Sequence, residues 1–258
     1  VGNFWGEMCL AISGLFELIL VAVMARPYLH RFGPDEARVP SLGAMIAFTV
    51  PLSLGSTILS LSGNVLSAFV ARAPQPELVL PLYQLTLTVT GTIGYAATQV
   101  ERVVLAFAPG CLRDRSTERF AAGVGIVLGV IPLVFQIEPL RSAYFVGLQN
   151  LPRERLGALG LMTVMLVGQA LVIALRSRLQ GVASFYGAPG IVLAGNGVLL
   201  ASMAGTGMLS LATGLPGLFV APLGTYVSNT AAILTMALLV RSRERRLAAE
   251  ITTQEVAS

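Results

Sequence analysis

Long apolar runs separated by short polar breaks dominate the chain, and the polar residues inside the runs recur at spacings of three and four. A run of about 20 apolar residues, at 1.5 Å per helical residue, crosses the ~30 Å hydrocarbon core of a bilayer. The pattern therefore predicts an all-α fold, a polytopic transmembrane bundle of about seven spans. Their expected bounds are 8–25, 42–70, 80–108, 120–137, 156–175, 184–204 and 215–240.

The composition agrees with this pattern and excludes several classes of protein. Hydrophobic residues make up 55% of the chain and charged residues 12%, too few charges to cover a water-facing surface. All 17 basic residues are arginine, so a lysine Schiff base cannot form. His30, Cys9 and Cys111 are too few and too scattered to ligate a metal, so no metal or cofactor is expected. Arginines without interleaved aromatic residues also argue against nucleic-acid binding.

The arginines between the spans fall unequally on the two sides of the membrane. Alternating the spans places 12 on one side and four on the other, and Arg102 lies within a span. Cytoplasmic loops are enriched in basic residues, so the N-terminus is expected outside and the C-terminus in the cytoplasm, in the inner (plasma) membrane of a bacterium. The arginines of 241–246 are interpreted as a topology anchor in preference to a specific lipid site.

Three regions follow from this topology. Residues 1–40 are expected to form a single helix and a cytoplasmic linker, residues 41–246 a six-helix lobe, and residues 247–258 a disordered cytoplasmic tail. The tail is assigned because the arginine-rich run continues into apolar-poor sequence.

Two neighbouring spans each carry polar residues along one helical face. Such a seam either lines a water-filled path or only holds helices together. The seam of the second span is Ser53, Ser56, Ser60, Asn64 and Ser67, and that of the third is Gln84, Thr88, Gly91, Tyr95, Gln99 and Arg102. Asn196 and Asn229, in later spans, are interpreted preferentially as interhelical hydrogen-bonding groups.

The candidate site residues come from these seams, because burying amide and charged groups in a membrane is costly. Arg102 with Glu101 is expected to hold an anionic or zwitterionic group, and Glu17, in the middle of the first span, is a candidate proton site. The expected substrate path is Asn64, Gln84, Tyr95, Gln99, Glu101 and Arg102. No catalytic residue is predicted, since the serines have no nearby base, and the chain is not expected to be an enzyme.

Two stretches resemble a known family. The run from Val50 to Leu61, VPLSLGSTILSL, is similar to the helix that opens each half of multidrug and toxic-compound extrusion (MATE-type) transporters. The stretch from Ala174 to Val182, ALRSRLQGV, resembles a loop after the fourth helix of such a half, especially in the progressive-ankylosis-like branch of this flippase superfamily. The resemblance implies that spans two to seven form one six-helix lobe and that the first span matches the last helix of a preceding lobe. The membrane-buried Asp of cation-coupled members is missing from spans two and three.

On this resemblance the chain is expected to be a secondary transporter or flippase that moves an organic solute or amphiphile by alternating access. Its partners would be the lipid bilayer, that substrate, and either a second lobe or a second copy in a homodimer. The alternative is a non-transporting membrane scaffold or partner subunit whose polar seams only hold helices together.

Overall fold

The computed structural model describes residues 41–107 and 114–257, with side chains as far as 249, and scattered helical positions between 8 and 26. This part of the chain is almost entirely helical and contains no strand, which confirms the all-α prediction. Residues 1–44 and residues 45–258 form two compact units.

Nine α-helices follow one another from residue 42 in the described part of the chain. A 3₁₀ stretch (Ile131–Gln136), a π-helical stretch (Ser142–Leu148) and a 3₁₀ turn (Arg153–Arg155) interrupt them. The α-helices are α1 (Leu42–Val70), α2 (Pro76–Thr98), α3 (Val100–Ala106), α4 (Arg115–Val130), α5 (Glu138–Arg141), α6 (Leu156–Met165), α7 (Gln169–Phe185), α8 (Pro189–Ala212) and α9 (Gly217–Ala257).

Five helical segments of the described chain are long and apolar enough to cross a membrane. They are Leu42–Val70, Arg115–Gln136, Arg153–Phe185, Pro189–Ala212 and Gly217–Ala249. The expected third span, 80–108, exists as α2 and α3 but is not among the five, because threonines and glutamines lower its hydropathy. Only scattered positions of the expected first span are among the described residues. The prediction of a bundle of membrane-spanning helices is therefore confirmed, and the predicted number of about seven is approximate.

The outer surface of the bundle is apolar. Large aliphatic side chains on three different helices are about two-thirds exposed, among them Val127 (65%), Met208 (64%) and Leu238 (68%). A soluble protein does not expose apolar surface on this scale, whereas a bilayer accommodates it without cost. Together with the five long apolar helices, this surface defines an integral membrane protein.

Helix α7 is the central element of the lobe. It packs against α2, α3, α4, α8 and α9, and every residue from Arg176 to Ser184 is buried. The sequence places a loop here, between spans ending at 175 and beginning at 184, and that prediction is wrong. The helix continues to Phe185, and the break comes at Gly187, whose φ of +62° suits glycine, followed by Pro189.

The last helix is longer than the expected seventh span. It is continuous from Gly217 to Ala257, so the backbone of 247–257 is helical where the sequence suggests a disordered tail. Alanine and glutamate residues in this segment are strong helix formers, and the preceding helix provides the nucleus from which they extend.

A close helix crossing at Gly125 gives a first prediction. A Cβ at this position would lie 2.6 Å from Cα of Leu171 in α7, so backbone as well as side chain would have to move. We expect Gly125→Ala to lower the free energy of unfolding by about 1–3 kcal/mol, the usual cost of overpacking. Thermal unfolding in detergent measures it.

Gly123→Ala is the matched control, because Gly123 lies on the same helix and a Cβ there would meet nothing within 4 Å. It should be neutral or stabilising, since alanine favours the helix more than glycine does. Equal effects of the two substitutions would contradict the close packing of α4 on α7.

Candidate functional site

A buried polar network connects three helices at the centre of the lobe. It consists of Arg176 and Gln180 of α7, Asn196 of α8 and Asn229 of α9, each no more than 5% exposed. The guanidinium Nη1 of Arg176 donates to Oδ1 of Asn229 over 2.9 Å, and Nε2 of Gln180 donates to Oδ1 of Asn196 over 3.1 Å. Arg176 and Gln180 are four residues apart, so α7 presents both side chains on one face.

Asn196 extends this network to the first helix of the lobe. Its Nδ2 donates over 3.1 Å to the carbonyl oxygen of Gly55 in α1. Gly55 itself is buried, and a Cβ there would lie 3.2 Å from the same nitrogen atom. A side chain at position 55 would therefore crowd the amide, so glycine permits the hydrogen bond between α8 and α1.

An acidic group interacts with the network from α3. The carboxylate of Glu101 interacts electrostatically with both Arg176 and Arg102. Gly181 of α7 allows α3 to approach closely, since a Cβ at this position would lie 2.8 Å from the Glu101 carbonyl oxygen. Two polar atoms of this region, Nε of Arg176 and Oγ of Ser177, are buried without a hydrogen-bond partner in the described part of the chain.

Arg178 joins α7 to the start of α4. Its Nε donates to Oγ1 of Thr117 over 3.0 Å, and its Nη2 donates to the carbonyl oxygen of Asp114 over 3.1 Å. Asp114 caps α4, because its carboxylate accepts the backbone N–H groups of Ser116 and Thr117. These hydrogen bonds favour the ionised form and lower the pKa of Asp114. The contact places the end of α7 and the beginning of α4 at the same end of the bundle.

A second set of polar residues lies on the surface. We call Asn64 of α1, Gln84 and Tyr95 of α2, and Arg102 of α3 the exposed polar face; all four are exposed, Tyr95 to 70%. Gln84 donates through Nε2 to Oγ of Ser67 over 3.3 Å, which joins the two predicted seams at one point.

The predicted site residues thus fall into two groups. Asn64, Gln84, Tyr95 and Arg102 form the exposed polar face, whereas Gln99 and Glu101 are only partly exposed and Glu101 interacts with the buried network. Glu17 lies outside the described residues.

The other predicted polar residues, and some that the sequence did not suggest, lie in the network. Asn196 and Asn229 are interhelical hydrogen-bonding groups, which agrees with the preferred interpretation of the sequence. Arg176 and Gln180 were missed as a buried pair because the sequence placed them in a loop. The missed signal is that residues 176–186 contain no proline and a single glycine, Gly181, before the true break at Gly187 and Pro189.

The side chains of these two polar regions offer hydrogen bonding and charge. Among the described residues no group of three or more His, Cys, Asp or Glu side chains is arranged to hold a metal ion. The fold and these two polar regions define a helical integral membrane protein with a polar centre and a polar surface face. Comparison with protein-family models finds no match, and comparisons with curated proteins and with solved structures find none either.

Proposed function

We propose that this chain is one lobe of a secondary transporter or flippase that moves an organic solute or amphiphile by alternating access. Under this proposal the lobe is MATE-like, its N-terminus lies outside and its C-terminus lies in the cytoplasm. Transport then requires a second lobe or a second copy, because the path runs between two such surfaces.

The exposed polar face carries this proposal. Polar side chains that face lipid are costly, and in membrane proteins they normally face the bundle interior or water. Asn64, Gln84 and Tyr95 are nevertheless exposed on the lobe, next to helices whose outer side chains are aliphatic. A water-lined cavity between two lobes satisfies these groups, and it also gives an amphiphile a polar route through the bilayer.

The scaffold alternative predicts a different use of the same residues. Seams that only hold the helices of this chain together should be buried between them, as Asn196 and Asn229 are. The exposure of Asn64 and Tyr95 favours a substrate path and not a seam that only holds helices together. A scaffold that covers the face permanently with a partner is the remaining competitor, and access to water distinguishes the two.

Thiol labelling tests the proposal without knowledge of the substrate. In a background in which Cys9 and Cys111 are replaced by serine, we expect Tyr95→Cys to react with a membrane-impermeant thiol reagent in native membranes. Alternating access further predicts that reagent added from either side labels it, because the cavity opens to each side in turn.

The control is Val127→Cys, on the apolar outer surface of α4 and exposed to a similar degree, 65% against 70%. Lipid should protect it from the reagent on both sides. If Tyr95→Cys is protected as completely as Val127→Cys, the face is covered and the scaffold is favoured. Labelling from one side only would exclude alternating access.

A further inference from the structure

A cleft with a basic wall lies between the turn that joins α7 to α8 and the last helix. It has a volume of about 490 Å³. One wall is the turn Gly187–Gly190, and the other carries Ser242, Arg243 and Arg246 of α9. This basic cleft is separate from the exposed polar face and from the buried polar network, and it uses none of their residues.

Arg243 brings unused hydrogen-bonding capacity to the cleft. Its Nε is buried and has no hydrogen-bond partner in the part of the chain that the structure describes. The adjacent acid, Glu244, does not line the cleft, and its carboxylate accepts a hydrogen bond from the hydroxyl of Tyr186 over 3.1 Å. A planar guanidinium with a free donor favours an anion with several oxygen atoms, such as a phosphate group.

Apolar side chains also line the same cleft. Leu239 and Ile191 line it beside the arginines, and the apolar part of α9 ends at Val240, one residue before the first arginine. Phe185 and Tyr186 form an edge-to-face aromatic pair at the same end of α7, with ring centroids 5.7 Å apart. Aromatic and basic residues together mark the depth of lipid headgroups. A ligand here therefore meets both cationic and apolar side chains.

We propose that the basic cleft is a binding site for an anionic phospholipid, whose headgroup phosphate is held by Arg243 and Arg246. The acyl chains would lie along the apolar parts of α8 and α9. Because α8 begins at Pro189 inside the cleft, its dipole adds to the attraction for the phosphate. A general attraction of basic residues to acidic membranes would depend only on the number of charges. Binding at this site depends on Arg243 and Arg246 in particular.

The chain supplies a matched pair of double variants to separate these cases. Arg243→Gln with Arg246→Gln removes both cleft arginines. Arg241→Gln with Arg245→Gln removes the same charge from the same helix, and neither of these residues lines the cleft. The purified full chain is titrated in nonionic detergent with phosphatidylglycerol, with phosphatidylcholine, and with soluble glycerol phosphate, and the shift in Tm is recorded.

Phosphatidylglycerol should raise the Tm of the unmodified chain in a saturable way, with little effect of the other two compounds. The cleft variant should bind phosphatidylglycerol at least about tenfold more weakly, because two charge-assisted contacts are lost, while the control variant changes its affinity less than about twofold. Equal weakening of both variants would overturn the proposal in favour of nonspecific attraction. A glycerol phosphate shift equal to that of the lipid would overturn the lipid assignment.

Folding of the cleft variant is checked by its Tm without lipid. If it is unstable, Arg246→Gln alone is used, since Arg246 is exposed and its loss should leave the fold intact. That single variant should weaken phosphatidylglycerol binding by at least about threefold. An unchanged affinity would contradict the site.

Discussion

Replacing Arg176 with glutamine is expected to lower the free energy of unfolding by about 2–4 kcal/mol, more than overpacking the helix crossing at Gly125. The substitution removes the charged donor to Oδ1 of Asn229, which is left buried without it, and one of the two arginine charges that interact with Glu101. Reversible unfolding of the detergent-solubilised protein measures this loss.

Two comparisons make the Arg176 prediction specific. Arg102→Gln removes the same charge from an exposed position and should change the free energy of unfolding by no more than about 0.5 kcal/mol. Arg176→Met combined with Asn229→Leu replaces the pair with apolar side chains and should recover part of the loss, because partners in direct contact are non-additive. If Arg176→Gln costs no more than Arg102→Gln, the buried network does not stabilise the lobe.

The second large effect is expected at Asn196. Asn196→Leu keeps the approximate size of the side chain but leaves Nε2 of Gln180 and the carbonyl oxygen of Gly55 without their partner. We expect a loss of about 2–3 kcal/mol in the free energy of unfolding, measured in the same assay.

Asn64→Leu is the control for Asn196, since it makes the same chemical change at an exposed position of α1. Its effect on unfolding should be within about 0.5 kcal/mol. Cysteine crosslinking between α1 and α8 near Gly55 and Leu193 gives a second measurement, and Asn196→Leu should lower its yield. An unchanged yield together with unchanged stability would show that Asn196 does not hold α1.

Hydropathy located the long helices well, because a helix that crosses the bilayer needs a run of about 20 predominantly apolar residues. The expected span 42–70 matches α1 residue for residue. The same logic failed at α7, because charged residues were taken to end the span at 175. Arg176 and Arg178 are instead buried in a helix that continues to Phe185.

The buried network could not be derived from the sequence for a second reason. Arg176 and Asn229 are 53 residues apart, and Asn196 and Gly55 are 141 apart. Helical periodicity identifies which residues share a face of one helix, but it does not say which faces of different helices meet. The individual polar residues were therefore visible, and their pairing was not.

The length of α9 has a mechanical consequence. Its apolar part ends at Val240, and the helix continues to Ala257, so roughly 25 Å of continuous helix follows the apolar part at 1.5 Å per residue. Such an extension acts as a lever, because a tilt of about 10° at the membrane displaces its far end by roughly 4 Å over this helical length. A spin label at Ala249, about 14 Å along the helix from Val240, would move by roughly 2 Å for the same tilt, which is a measurable distance change.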